Sequence, residues 1–441
     1  MGTSKVKDAP STPPNVIFIF PDQLGAVWLG CYGNPDVQTP NIDRFARESI
    51  LFEQAYTASP VCTPFRGTLF TGRYPCQTGV VENGLHIPHS EVTLAECLNR
   101  GGYHTAYVGK WHLSGPPGGN RWVPLQGRAG FQEFLGWESH HVDHWAGLIW
   151  ENDPNRPIRM PGHETDALTD MACQKLERLQ PPFCLFLSYQ APHPPCSPPA
   201  EFLAMYRGKE PSWRPNVTNV NAWYRRPEWD CDYGLRTFVE RYYGEISHFD
   251  RAFGQLLSRV QALSLADSTI VVLTSDHGEM MGCHGLFGKG VMYEESMRIP
   301  LIVRHPAGLQ GVRTRAFFSS VDFMPTLLDM CGLPPAPTAE GISYGPLIHG
   351  QGQNARDILF VQYRDLCIRR GTLKLITEAV PCKPVASYDL ASDPYEQDNL
   401  IDRSKYAPVI ADLQEALSAW LKDVLSRAGD TQEASQPSPA L

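Results

Sequence analysis

The chain has no long hydrophobic run. No stretch approaches the ~18 consecutive apolar residues of a membrane span, and residues 1–14 are polar and proline-rich, without the apolar centre of an export signal. Neither a membrane partner nor a secretory leader is expected, and a cytoplasmic location is. Basic excess is missing too. The net charge is −9, from 47 acidic and 38 basic residues, which argues against nucleic acid as a partner. The twelve cysteines include no Cys-x-x-Cys and form no tight framework, so free thiols are expected. Asn216-Val217-Thr218 is a glycosylation sequon by pattern only. No internal repeat is present.

What the chain does have is a succession of apolar strands and amphipathic helices. With 42% apolar residues over 441 positions it can bury a sizeable core. Asn15 to Phe20 is a β-branched and aromatic run bounded by proline, as in a strand buried on both faces. Similar runs lie at 103–108, 183–187, 269–274 and 301–303. Thr39-Pro40 opens one helix, and Thr93 with Glu96 forms a capping box ahead of another. Phe238, Tyr242, Ile246, Phe249, Phe253, Leu256 and Val260 keep helical spacing over a long helix.

Alternating helices and strands imply an α/β sandwich with a largely parallel central sheet flanked by helices, over about 15–350. Short strand-like runs at 358–362, 367–369, 373–376 and 387–390, then a helical stripe at 407–425, imply a small C-terminal subdomain over 351–426, an antiparallel sheet with one helix. Residues 1–14 and 427–441 read as disordered.

In parallel sheets, sites lie beyond the carboxyl ends of the strands. Asp22, Lys110, His193 and Asp276 each follow such a run. Asp22-Gln23 and Asp276-His277 together can offer carboxylates and an imidazole to one cation. Cys62-Thr63-Pro64-Phe65-Arg66 sits between a strand-like run and a helix-like run. That places Cys62 at a helix N-terminus, where a depressed thiol pKa is expected. Either element alone reads as a buried cysteine or a capping aspartate.

The pattern Cys-x-Pro-x-Arg, continued by Thr71-Gly72-Arg73, resembles the signature of the type I sulfatases of the alkaline-phosphatase superfamily. Gly109-Lys110-Trp111-His112, Ala191-Pro192-His193, Ser275-Asp276-His277-Gly278-Glu279 and Gly288-Lys289-Gly290 extend the likeness. So do Tyr388-Asp389-Leu390 and Asn399-Leu400 near the C-terminus. The resemblance implies hydrolysis of an organic sulfate monoester, either a sulfated carbohydrate or an aryl or alkyl sulfate. It implies 3-oxoalanine (formylglycine) at Cys62, made by a formylglycine-generating enzyme. It implies one divalent ion, Ca²⁺ or Mn²⁺, Mg²⁺ or Zn²⁺, held by Asp22, Gln23, Cys62, Asp276 and His277. Lys110, His193 and Lys289 would bind sulfate or protonate the leaving group, His112 would take a proton as sulfate leaves, Arg66 would hold the diol, and Asp276 would activate it. Asn83, His86 and His89 are candidates for the pocket rim.

Gln23 stands where many sulfatases have a second aspartate, and His277 where many have asparagine. Gln23 is a feature of the related phosphonate monoester hydrolases, so a phosphonate monoester or phosphodiester hydrolase is the alternative on the same scaffold. A non-catalytic anion-binding protein with unconverted Cys62 is the alternative of another class. The His- and Trp-rich run 136–145, with His140, His141, Asp143 and His144, raises a second metal but matches no spacing motif. Trp213, Trp223 and Trp229 lie in a long insertion and could face sugar rings or pack the loop.

Overall fold

The strand Asn15–Asp22 sits at the centre of a nine-stranded sheet. The computed structural model describes residues 12–116, 121–138, 141–226, 231–352 and 355–428. The expectations at His140, at Trp229 and for the segments before residue 12 and after residue 428 lie outside them. Asn15–Asp22 pairs in parallel with Thr269–Leu273 on one side and Phe183–Pro192 on the other. Phe183–Pro192 pairs in parallel with His104–Lys110, which pairs in parallel with Glu133–Trp137. Beyond Thr269–Leu273 the short strand Ile302–Arg304 runs antiparallel and joins Ile50–Tyr56. The sheet is thus mixed and mostly parallel.

Period-two alternation in the first strand explains the layering. Ile17 and Ile19 point into one core, and Val16, Phe18 and Phe20 into the other. The first core is closed by the helices Pro40–Arg47, Glu164–Leu176 and Leu235–Ala262, and the second by Cys62–Thr71, Leu94–Arg100 and Phe323–Met330. The seven-residue stripe along the long helix, from Phe238 to Val260, is fully buried. The capping box at Thr93 and Glu96 forms as expected.

A four-stranded antiparallel sheet follows: Ile358–Gln362, Asp365–Arg370, Leu373–Glu378 and Pro384–Asp389. One face carries Leu366, Ile368 and Leu375 against Ile410, Leu413 and Leu417 of the helix Ala407–Ser426. The other carries Leu359, Val361, Cys367 and Ile376 against Tyr56, Met292, Met297 and Phe317 of the main body. The insertion after Pro194 holds a short helix, Ala200–Ala204, and a hairpin of Trp223–Arg226 with Cys231–Gly234. The eleven cysteines with described side chains are all free. Among the described residues no helix is long and apolar enough to cross a membrane.

Candidate active site

Four neighbouring parallel strands deliver four side chains to one edge. Asp22 and Lys110 end their strands, His193 follows Phe183–Pro192 at once, and Asp276 comes three residues after Leu273. All four are buried. Gly109 makes the close approach there possible. Its φ is +114°, and a Cβ would lie 1.9 Å from the Ser188 carbonyl oxygen.

Cys62 is the first residue of its helix and is wholly buried. Its Sγ lies 3.2 Å from His277 Nε2 and 3.5 Å from Asp22 Oδ1. His277 Nε2 is 3.5 Å from Asp276 Oδ2 and 3.7 Å from Asp22 Oδ1. These four residues offer ligand atoms all within 4.8 Å of one another. The ring orientation suits a metal. His277 Nδ1–H donates to the Gly278 carbonyl at 3.0 Å, which turns the Nε2 lone pair inward. Asp276 Oδ2 is buried without a hydrogen-bond partner. The residues therefore fit a divalent cation.

Cations of the chain surround the same point. Lys110 Nζ donates to Asp22 Oδ2 at 2.6 Å and lies 4.0 Å from Cys62 Sγ. Lys289 Nζ donates to Gln23 Oε1 at 2.6 Å and reaches Cys62 Sγ at 3.3 Å. Arg66 is buried over the Phe20 ring, donates to the Lys110 carbonyl at 2.5 Å and Ser188 Oγ at 3.0 Å, and faces Asp22 at 3.4 Å and Asp276 at 3.9 Å. Gln23 does not reach out freely. Its Nε2 donates to Glu279, and its Oε1 is held by Lys289, so it can turn to a cation only as Lys289 releases it.

Electrostatics follow from burial and these neighbours. Burial raises Asp22, but Lys110, His193 and Lys289 outweigh it and hold the carboxyl well below its usual range. Burial and Asp22 push Asp276 up to about 7. The depressed thiol expected from the helix N-terminus is not found. Burial, then Asp22, push Cys62 up to about 11 against Lys110 and Lys289. Desolvation in a site with two carboxylates outweighs one helix end. Burial lowers Lys289, but Cys62 and Asp22 outweigh it and keep it above its usual value. Burial and Lys289 hold His193 well below its own. His193 Nδ1–H donates to the Pro194 carbonyl at 2.5 Å, leaving Nε2 as the reactive nitrogen.

The remaining candidates are placed unevenly. His112 is buried with φ +58°, and its carbonyl accepts from Thr63 Oγ1 at 2.9 Å, beside the Cys62 helix. Asn83 Oδ1 accepts the Thr63 N–H at 3.1 Å and so braces that helix. His86 and His89 line a separate cavity of about 260 Å³ that includes none of the Cys62 cluster. Asn216 of the sequon is buried and donates to Glu295 at 2.9 Å.

Sequence reasoning missed Glu279, which accepts from Gln23, Met281 N–H and Gly288 N–H and is pushed by burial to about 7. Its place three residues after Asp276 was the available signal. It also missed what His144 does. His144, His163 and Glu245 form a second buried group of metal-ligand types. Their tautomers are wrong for a metal. The Thr165 N–H donates to His163 Nδ1 at 3.2 Å, and the Gln190 amide nitrogen donates to His144 Nε2 at 3.1 Å. Each ring therefore turns an N–H, not a lone pair, toward a carboxylate: His163 toward Glu245 at 3.6 Å, His144 toward Glu164 at 3.5 Å.

Comparison with known proteins agrees with this geometry. The Sulfatase family model matches residues 14–333, and the model for the C-terminal region of N-sulphoglucosamine sulphohydrolase matches 282–423. An ulvan-active sulfatase of Formosa agariphila is 33% identical, with 97% of this chain and 84% of that protein covered. A solved complex of a protein with its substrate D-glucosamine-2-N,6-O-disulfate superimposes with a TM-score of 0.84 at 25% identity, covering 96% of this chain and all of that one. A phosphonate monoester hydrolase of Agrobacterium radiobacter shares the fold, with a TM-score of 0.77 at 24% identity over 93% of this chain and 96% of that one. The chain belongs to the sulfatase family of the alkaline-phosphatase superfamily, and it is a sulfuric ester hydrolase.

Proposed function

We propose that the protein hydrolyses the sulfate monoester of a sulfated carbohydrate through formylglycine made from Cys62 by a formylglycine-generating enzyme. One observation carries the reading: Cys62 Sγ stands within 3.5 Å of His277 and Asp22 while the Lys289 ammonium lies at 3.3 Å and that of Lys110 at 4.0 Å. A nucleophile held between two anions, an imidazole lone pair and two ammonium groups suits an anionic ester, whose three non-bridging oxygens need cations around them. The Formosa relative named for ulvan and the sulfated-glucosamine complex support a carbohydrate substrate.

Asp22, Asp276, His277 and the converted Cys62 would hold one divalent ion, with Gln23 joining as Lys289 releases it. The ion would offset charge on the ester oxygens, and the aldehyde hydrate would supply the attacking hydroxyl. Asp276, whose Oδ2 is buried without a hydrogen-bond partner, would take that hydroxyl's proton. Arg66 fixes Asp22 and Asp276 and screens their repulsion. Lys110 and Lys289 bind the sulfate oxygens. Lys289, kept charged in this site, holds a proton for the departing oxygen, whereas His193, kept neutral with the lone pair on its Nε2, would share that role only after gaining a proton. His112, beside Lys110, takes a proton as sulfate leaves.

Gln23 favours a second reading, phosphonate monoester hydrolysis, and Lys110-x-His112 speaks against it. Paired aryl sulfate and aryl phosphonate esters decide between them. We expect faster turnover of the sulfate, and a clear phosphonate preference defeats the proposal. Peptide mass spectrometry of protein from its native host tests the nucleophile. Exchange of the Cys62 thiol for an aldehyde is expected, and a fully retained thiol in active enzyme refutes it.

A further inference from the structure

A cavity of about 520 Å³ lies between the strand Ile50–Tyr56, the 212–215 loop and the C-terminal sheet. Its size falls within the range of about 300–1,000 Å³ usual for small-molecule sites. Asp22, Cys62, Lys110, His193, Asp276 and Lys289 do not line it. The segment 294–298 is the wall between the two sites. The Glu295 carbonyl is packed so tightly on Gly278 that a Cβ there would come within 1.9 Å.

The charge of this cavity does not balance. Arg214, Arg298, Arg315 and Arg369 line it with Glu53 and Glu294; Arg214 is paired with Glu295 at 2.8 Å, which leaves three arginines facing those two carboxylates. Glu53 is already taken by Arg313 at 2.8 Å and Arg315 at 3.4 Å. Glu294 accepts from Tyr56 OH at 2.6 Å and faces Lys374 at 3.3 Å, leaving Arg369 a long contact at 3.4 Å. Arg298 uses its Nε on the Glu53 carbonyl and, among the described residues, pairs with no carboxylate. Arg369 is 7% exposed, and burial pushes it down to about 10, the mark of an under-compensated guanidinium. In a protein of net charge −9 this is a local cationic pocket. Tyr32, Trp213 and Tyr395 also line the cavity, with Arg298 over the Tyr32 ring and Arg214 over that of Tyr395, and aromatic rings beside planar donors suit an acidic sugar better than a bare ion.

We propose that this cavity is a second anion site, separate from the metal centre, which binds the sulfate or carboxylate group of an acidic sugar through Arg298, Arg315 and Arg369. The sugar is either a distant residue of an oligosaccharide substrate or a free acidic monosaccharide.

The test uses the mature, metal-loaded enzyme and three probes: methyl glucuronide, which carries no sulfate ester, a sulfated tetrasaccharide and 4-nitrophenyl sulfate. Calorimetry with methyl glucuronide should show one site that weakens about tenfold or more in Arg298→Ala/Arg315→Ala, as expected for lost charge-assisted hydrogen bonds. Arg298→Lys should keep part of the affinity. Turnover of 4-nitrophenyl sulfate should stay unchanged, which separates this site from the catalytic reading. A raised KM for the tetrasaccharide in the double variant assigns the site to the substrate chain. An unchanged KM with lost glucuronide binding assigns it to a free acidic sugar. Undetectable glucuronide binding, or equal binding by wild type and variant, overturns the proposal, even if the enzyme proves to be a sulfatase in every other respect.

Discussion

Glu164 Oε1 accepts the Ala191 N–H at 2.8 Å, two residues ahead of His193. Glu245 Oε1 accepts the Ser197 N–H at 2.8 Å, four residues after it. The two carboxylates therefore pin both ends of the loop that carries His193. Burial pushes Glu245 up, but His163 and His144 outweigh it and hold it at about 2, so it stays a strong acceptor. If His193 depends on this loop, Glu164→Ala should lower kcat by about tenfold or more on alkyl or sugar sulfates and much less on 4-nitrophenyl sulfate, whose oxygen leaves without a proton. Glu164→Gln, which keeps an oxygen for Ala191, should restore part of the loss. In a His193→Ala background Glu164→Ala should add little, and a fully additive loss would show that the two residues act separately.

The convergence at the candidate site was legible because its residues end or follow apolar runs. Asp22 and Lys110 close buried strands and Asp276 comes three residues after one, and the parallel order around Asn15–Asp22 brings them together. The fold was legible for the same reason, down to the four short strands that begin at Ile358. What the chain hid was pairing across distance. Nothing in the run 136–145 says that His144 meets Gln190 and Glu164, because those contacts depend on how Glu164–Leu176 docks against Leu235–Ala262. The strand Val312–Ser319 alternates arginine with smaller groups and gave no apolar run, yet it pairs in parallel with Ile50–Tyr56. The Cys62 thiol was misjudged because a helix end is local and visible, while burial against Asp22 is neither.

Arg66 is the only arginine that faces both Asp22 and Asp276 among the described residues. Removing it leaves two buried carboxylates and the Lys110 carbonyl short of donors. Arg66→Ala should cost about 3–5 kcal/mol in urea unfolding, the usual penalty for breaking a buried charge cluster. Arg66→Lys should recover little, since one ammonium cannot reach Ser188, the Lys110 carbonyl and Asp22 together. A loss below about 1 kcal/mol for the alanine variant would contradict this account.

His305 gives a stability signature away from the active site. Burial, then the neighbouring His349 ring 4.4 Å away, push it down to about 4. The unfolded chain binds a proton near 6.5, where the folded chain does not. Between those values the unfolded state carries the extra proton, so stability falls as pH drops from about 6.5 toward 4 and is unaffected above that window. The urea midpoint should follow that slope, and His305→Asn, which keeps an acceptor for the Ala307 N–H, should flatten it. An unchanged slope in the variant would assign the acid limb to other groups.

The candidate metal centre makes a prediction of the same sign, in binding rather than stability and centred on a higher pH. Without a cation, burial and Asp22 keep a proton on Asp276 up to about pH 7. Ligation requires that proton to leave, so binding should tighten as pH rises and level off above about 7. Competition with a chelator at pH 6, 7 and 8 should show an affinity that falls by about tenfold per pH unit on the acid side. Dialysis against the chelator should abolish turnover of an aryl sulfate, and a divalent ion should restore it. Asp276→Asn should remove the pH dependence along with most of the affinity, because the amide has no proton to lose. If chelated enzyme kept full turnover, the four-residue cluster around Cys62 would have to act through Lys110, Lys289 and Arg66 alone.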